Sequence, residues 1–79
     1  MVSKKNRQGV PSAARYTYQI NWSPEDKEFV ATVDEFPMLS WLDRSPNQAL
    51  IGATSLVEEV LFDLISNQEP VPKQKINHS

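Results

Sequence analysis

The feature that most constrains this chain is one strongly marked amphipathic helix. Ser45-Pro46-Asn47-Gln48 carries the signals of a helix start: a serine N-cap, proline at the first helical position, and glutamine three residues after the serine. With stop signals after residue 66, the pattern predicts a helix over 46–66, long enough at about 30 Å to cover three strands diagonally. Its broad apolar face contains Ala49, Leu50, Ala53, Leu56, Val57, Val60, Leu61 and Leu64.

Three strands are predicted upstream of this helix. Residues 16–22 alternate strictly between aromatic or aliphatic and polar side chains, which is typical of a half-buried strand. Residues 23–27 form a proline-containing turn, and the alternation over 28–33 predicts a second, antiparallel strand. Residues 34–37 interrupt the pattern because they include a proline, and a short third strand is predicted over 39–42.

Strand, strand, strand, helix predicts an α+β fold of two layers, with an antiparallel three-stranded sheet covered by one long helix. Residues 68–72 predict a fourth, edge strand, since proline is tolerated at sheet edges. The prediction is a βββαβ unit over residues 16–73, preceded by a flexible basic arm over 1–15 and followed by a tail over 74–79. A chain of 79 residues leaves no room for a second domain and buries only about 60% of its unfolded surface, so self-association is expected.

Charge is distributed unevenly along the chain. Residues 1–15 carry a net charge of +4, residues 16–65 a net charge of −7, and the remainder +1, for a total of −2. An acidic folded region repels phosphate backbones and attracts basic partners. We therefore predict weak or no direct binding of nucleic acid by this chain, sensitive to salt because few lysines and arginines would contribute.

Composition also limits the chemistry. The absence of cysteine and the presence of one histidine, His78, argue against disulfide frameworks, thiolate metal sites and histidine clusters. We predict no metal, no cofactor and no catalytic residue. No apolar run approaches the roughly 18 residues of a membrane span, and no hydrophobic segment follows the first seven residues as it would in a secretory signal. The prediction is a cytoplasmic protein with no membrane contact.

One feature of the helix departs from simple amphipathicity. Ile51, Phe62 and Ile65 lie within about 60° of one another on the face opposite the core, with Glu58 among them. A single exposed apolar side chain is ordinary, but a stripe calls for a cover. Either the terminal segments fold back over it or it is an interface. We predict a homodimer, formed through this stripe or by pairing of an exposed strand edge.

Taken together, four runs of the chain resemble the HicB family of antitoxins. The family pattern is an aromatic first strand, a second strand reading gly-x-phe/tyr-val-ala, then phe-pro-x-leu-ser, a capped helix opening with thr-pro-glu-glu-ala-leu, and a closing glu-pro-ile/val-pro. This chain carries similar runs at residues 18–31, 35–42, 45–50 and 69–72. It departs from the pattern at Asp43 and at Asn67-Gln68, where the family usually has glycine.

The resemblance implies a partial RNase H-like fold that binds and neutralises a HicA-type toxin, a small basic ribonuclease with a double-stranded-RNA-binding-like fold. Since such a partner is basic, the acidic loops are the predicted contact residues. They are Glu25, Asp26, Asp34, Glu35 and Asp43. Relatives of this type often continue, past the positions of residues 77–79, into a ribbon-helix-helix DNA-binding domain.

Two other functions are weighed against the antitoxin. RNase H chemistry needs a carboxylate on the first strand to help hold two divalent ions, and residues 16–22 contain none, so we predict that the protein is not an enzyme. The second alternative is a stand-alone or truncated HicB-like transcriptional regulator without a toxin. Its DNA contacts would have to come from Lys4, Lys5, Arg7, Lys73 and Lys75.

Overall fold

The computed structural model describes residues 12–74 of the chain, and within them it has one three-stranded sheet and one α-helix. All strand pairs are antiparallel, in the order β1-β2-β3. A short 3-10 helix at Ala13–Arg15 precedes them. The elements are β1 (Tyr18–Ser23), β2 (Glu28–Val33), β3 (Phe36–Asp43) and α1 (Pro46–Ser66). This confirms the predicted α+β class, the antiparallel sheet and the bounds of the helix.

β1 and β2 form a regular hairpin. Tyr18 pairs with Val33 and Ser23 with Glu28, as the alternating pattern requires. The connecting turn closes with a 2.8 Å hydrogen bond from the Lys27 N–H to the Ser23 carbonyl. Lys27 has φ 56°, a left-handed conformation that glycine adopts at less cost.

β3 is longer than predicted, because it begins at Phe36 and includes Pro37. Ser40 pairs with Thr32, whereas Phe36 pairs with the next residue of β2, Val33. The three residues 37–39 therefore form a bulge in which proline, with no N–H to donate, occupies no regular ladder position. The expectation that proline would exclude this segment from the strand was wrong, since the bulge accommodates it.

Both ends of α1 are capped by local hydrogen bonds. The Ser45 hydroxyl accepts the Gln48 N–H at 3.3 Å, as the sequence predicts. The Ser45 N–H donates to the Asp43 carboxylate at 3.2 Å, so aspartate rather than glutamine supplies the second cap contact. At the other end Gln68 has φ 58°, and backbone bonds from Gln68 to Ile65 and from Glu69 to Leu64 form a Schellman motif.

The core lies between α1 and one face of the sheet and widens from one end to the other. Near the start of α1 it consists of alanines, with Ala31, Ala49 and Ala53 almost completely buried. Towards the end of α1 the core residues are larger. They are Tyr16, Val33, Phe36, Val57 and Leu61, together with Ala13. Of the predicted helix core face, Leu50 is an exception, because it remains exposed.

The predicted fourth strand is absent from the part of the chain that the structure describes. Residues 69–74 run without regular pairing, because Pro70 and Pro72 have no N–H with which to extend a ladder. The segment is held instead by Val71, which packs against the core, and by a 2.8 Å hydrogen bond from the Tyr16 hydroxyl to the Pro72 carbonyl.

Among the described residues, regular structure begins earlier than the sequence pattern predicts. Residues 13–15, which the sequence assigns to the basic arm, form the 3-10 helix, and Ala13 is buried against the core. The Tyr18 hydroxyl donates to the Ala13 carbonyl and fixes this turn beside the sheet. The rest of the predicted arm, residues 1–11, and residues 75–79 of the tail lie outside the described residues.

The contact between Gly52 and Trp41 gives a first prediction. In a helix, alanine is more favourable than glycine by about 1 kcal/mol. A β-carbon at residue 52 would, however, overlap the indole ring of Trp41. We expect Gly52→Ala to lower the free energy of unfolding by about 1–2 kcal/mol in the native background, and to raise it by about 0.5–1 kcal/mol in a Trp41→Ala background. Urea denaturation of the four proteins measures this, and an equal effect in both backgrounds would contradict it.

A second prediction concerns Tyr16. Burial raises its pKa above the ordinary value of 10.0, and the nearby Glu35 carboxylate raises it further. Because the folded protein holds the tyrosine proton more tightly than the unfolded chain, stability is complete below pH 10 and declines as the pH rises through the folded-state pKa. Burial also raises the pKa of Tyr18, more than a hydrogen bond with Thr54 lowers it.

Tyr16→Phe should therefore lower the free energy of unfolding at pH 7 by about 1 kcal/mol, since the bond to Pro72 is lost. Above pH 10 the variant should show a shallower decline than the native protein, because one of the two tyrosine protons no longer contributes. Denaturation series between pH 7 and pH 11 test both parts. Parallel pH profiles would disprove the contribution of the Tyr16 proton.

Candidate functional site

The described part of the chain is strongly acidic. It contains all ten carboxylate side chains and four of the eight basic residues, a net charge of −6. Nine of the ten acids fall into three places: the end of the sheet that holds the β1–β2 turn, the opposite end of the sheet, and the outer side of α1. In that order they are Glu25, Asp26, Glu28 and Asp43; Asp34 and Glu35; and Glu58, Glu59 and Asp63.

At the β1–β2 turn the carboxylates organise loops. Asp26 accepts a 2.9 Å hydrogen bond from the Ser23 hydroxyl, within the turn. Asp43, at the end of β3, accepts the Ser45 N–H and so helps to start α1. Glu25 is exposed and makes no hydrogen bond with the residues that the structure describes. Of these three, Glu25 is thus the carboxylate with the least structural involvement.

At the opposite end of the sheet both carboxylates hold β1 against the β2–β3 turn. Glu35 accepts the Thr17 N–H at 2.9 Å and the Thr17 hydroxyl at 3.0 Å. Asp34 accepts the Gln19 side-chain amide at 2.9 Å, and its own N–H donates to the Thr17 carbonyl. These contacts give Asp34 and Glu35 a structural role that the sequence did not reveal.

The five predicted toxin-binding acids do not converge on one site. Asp34 and Glu35 are separated from the other three by the length of β2, about 17 Å for the rise of six strand residues. A single small partner surface would have to cover one whole edge or face of the sheet to touch both groups. As a contact set for a toxin, these residues stay a prediction.

A third acidic group, which the sequence reasoning left unassigned, lies on the outer side of α1. Together with Ser55 and Phe62, the carboxylates of Glu58, Glu59 and Asp63 line an open, shallow depression. None of the three carboxylates forms an ion pair with the residues described. The sequence does contain a signal for this group, because residues 46–66 include three acids and no lysine or arginine.

The apolar stripe on α1 faces away from the sheet, as predicted. The exposed fractions are 55% for Ile51, 69% for Phe62 and 39% for Ile65. Residues 69–74, which could have folded back over the stripe, pack beside Tyr16 instead. The stripe therefore has no cover among residues 12–74. Self-association through it or through a strand edge stays a prediction.

The described residues show no arrangement typical of a metal centre or of RNase H chemistry. Between Ser12 and Gln74, no group of three or more histidine, cysteine, aspartate or glutamate side chains is placed to hold a metal ion. β1 carries no carboxylate along its length. His78 lies outside the described residues. Over the described range, no helix has the length and apolar character needed to cross a membrane.

Comparison with known proteins supplies no relative. None of the protein-family models, curated proteins or solved structures that were searched matches this chain. The residues themselves and the geometry of the fold are therefore what indicates a function.

The contrast between Glu35 and Glu25 gives a third prediction. Glu35→Lys removes two hydrogen bonds to Thr17 and should lower the free energy of unfolding by about 2 kcal/mol. Glu25→Lys, the matched charge reversal at an exposed position, should change it by less than about 0.5 kcal/mol. Thermal and urea denaturation measure both. If the two variants are equally stable, Glu35 does not have the structural role assigned here.

Proposed function

We propose that this protein is an antitoxin of the HicB type, which binds a small basic HicA-type ribonuclease and neutralises it without chemistry of its own. The three-stranded antiparallel sheet followed by one long helix is compatible with a partial RNase H-like unit that lacks the closing strand. The inference comes from the resemblance of the residue pattern, and the fold supports it at the level of element order.

The observation that carries the proposal is the backbone conformation at two positions. The family pattern has glycine at the residue two before the phenylalanine of the second strand, and usually near the end of the helix. In this chain those places hold Lys27 and Asn67-Gln68, and both Lys27 and Gln68 have positive φ, 56° and 58°. Glycine is favoured at such positions because it has no side chain to strain. This backbone conformation at Lys27 and Gln68 supports the resemblance, whereas Asp43, the remaining place where the family usually has glycine, does not have a positive φ.

Electrostatics favour a basic protein partner. A net charge of −6 on the described residues repels nucleic acid phosphates and attracts a cationic protein over the Debye length, about 8 Å at physiological ionic strength. The same negative charge disfavours direct binding of RNA or DNA. A ribonuclease that holds RNA through its phosphates presents lysine and arginine side chains on that surface, so an acidic inhibitor is well matched to it.

The proposal includes the absence of catalysis. An RNase H centre gathers carboxylates around two metal ions, with one carboxylate on the first strand. Here β1 carries none, and Asp34 and Glu35 are engaged with Gln19 and Thr17. The carboxylates of this chain thus serve structure or surface charge.

The test, and the fourth prediction, is direct binding to a HicA-type toxin, sought in the reading frame beside the gene for this chain. The full 79-residue protein should form a stable complex with the toxin and abolish cleavage of an mRNA substrate at one equivalent. Association should slow by about tenfold between low and physiological ionic strength, because opposite charges steer the encounter. Stopped-flow fluorescence of Trp22 and Trp41 and an RNA cleavage assay measure these effects.

A parallel DNA-binding assay separates the alternative. The chain alone should bind its own promoter weakly, with loss of binding at moderate salt. If the chain does not inhibit the toxin but binds its promoter sequence-specifically at nanomolar concentration, the protein is a transcriptional regulator and not an antitoxin. If the chain inhibits the toxin equally well at all salt concentrations, it is an antitoxin whose binding does not depend on its negative charge.

A further inference from the structure

We propose that the outer face of α1 is the docking surface for a cationic amphipathic helix of the partner protein. This face is called the α1 seam and consists of Ile51, Ser55, Glu58, Phe62 and Ile65. The inference rests on the proposed function and deepens it, since it names the surface and the kind of segment that binds there. It also differs from the acidic loops, which the sequence favoured.

The spacing of the seam is that of one side of a two-helix interface. Its members follow one another at intervals of four, three, four and three residues, the 3.5-residue repeat with which helices pack side by side. Over residues 51–65 it is about 21 Å long, or four helical turns. All five residues are exposed, and the buried side of α1 lies against the sheet. The seam is therefore presented outward by the same packing that forms the core.

Charge identifies the occupant. Glu58 lies at the centre of the seam, and Glu59 and Asp63 border Phe62. Asp63 lies in the last turn of α1, where the helix dipole disfavours negative charge, and Glu59 and Asp63 repel each other at four-residue spacing. No lysine or arginine in α1 offsets this cost. A partner helix with apolar residues at matching positions and a lysine or arginine opposite Glu58 would both bury Phe62 and neutralise the acids.

The same charges argue against a second copy of this chain as occupant. If two copies of α1 paired about a two-fold axis at the centre of the seam, Glu58 of one copy would lie against Glu58 of the other. Both carboxylates would then be surrounded by the apolar side chains of the seam. Glu59 and Asp63 would add four more carboxylates at the border, with no basic group in either helix. Burial of unpaired like charges costs several kcal/mol, which the small apolar area of the stripe would have to offset. A cationic partner avoids this cost.

The experiment, and the fifth prediction, uses the full chain and the toxin of the preceding section. Phe62→Ser should weaken toxin binding by about thirtyfold, the effect of truncating a central aromatic contact. Glu58→Lys should weaken it by at least as much, because a favourable ion pair becomes a repulsion. Isothermal titration calorimetry measures the dissociation constants. Circular dichroism and urea denaturation establish that each variant is folded, as their exposed positions lead us to expect.

Two matched controls come from elsewhere on the surface. Met38→Ser removes an apolar side chain that is 75% exposed on β3, outside the seam. Glu69→Lys reverses a charge at an exposed position after α1, outside both the seam and the acidic loops. Both should leave the dissociation constant within about threefold of the native value. These controls lose as much surface hydrophobicity or net negative charge as the seam variants do. A difference in binding between the two sets is therefore due to the seam itself.

Three outcomes would overturn the inference. If the native chain binds the toxin and the seam variants bind as well as the controls, the docking surface is elsewhere while the proposed function stands. If the native chain does not bind at all, the proposed function falls, and this inference with it. If sedimentation shows a native homodimer that Phe62→Ser converts to a folded monomer, a second copy occupies the seam.

Discussion

The close approach of α1 to the central strand is the interaction on which the rest of the structure depends. Ala31 of β2 and Ala49 and Ala53 of α1 are almost completely buried, and their small side chains let the helix lie near the sheet. Gly52 extends this approach to β3, since the indole of Trp41 occupies the space that a β-carbon would take. A larger residue at these positions would lift the start of the helix away from the sheet.

The opposite end of the core is built from large side chains. Tyr16 and Phe36 contact each other with ring centroids 5.5 Å apart, and Val57 and Leu61 of α1 pack with them. The core therefore has the form of a wedge, thin where the alanines meet and thick where the rings meet. Such a wedge sets both the tilt and the rotation of α1, because only one phase of the helix matches small residues to one end and large residues to the other. That rotation turns Phe62 and Glu58 outward.

The acidic residues are not equivalent, although they contribute equally to the net charge. The Glu35 carboxylate accepts the Thr17 N–H just before β1, and the Asp43 carboxylate accepts the Ser45 N–H at the start of α1. Both charges therefore stabilise the fold itself. Glu58, Glu59 and Asp63 form no hydrogen bond or ion pair with the described residues, and no lysine or arginine in α1 offsets their negative charge. This uncompensated charge beside Phe62 is what favours the cationic partner proposed here.

The sequence by itself determined the elements whose signals are local. Hydrophobic period and capping chemistry predicted α1 to the residue, and alternation predicted the pairing of β1 with β2, because these depend on neighbours within a few positions. The outward stripe on α1 followed from the same helical period.

Only the tertiary structure decided what depends on distant residues. The bulge that admits Pro37 into β3 depends on pairing with β2, and the place of the C-terminal segment depends on the Tyr16 hydroxyl 56 residues away. The separation of Asp34 and Glu35 from the acids of the hairpin turn arises from the length of a strand between them. Charge counts along a chain contain no such distances, which is why the sequence could not show that the acidic loops lie at opposite ends of the sheet.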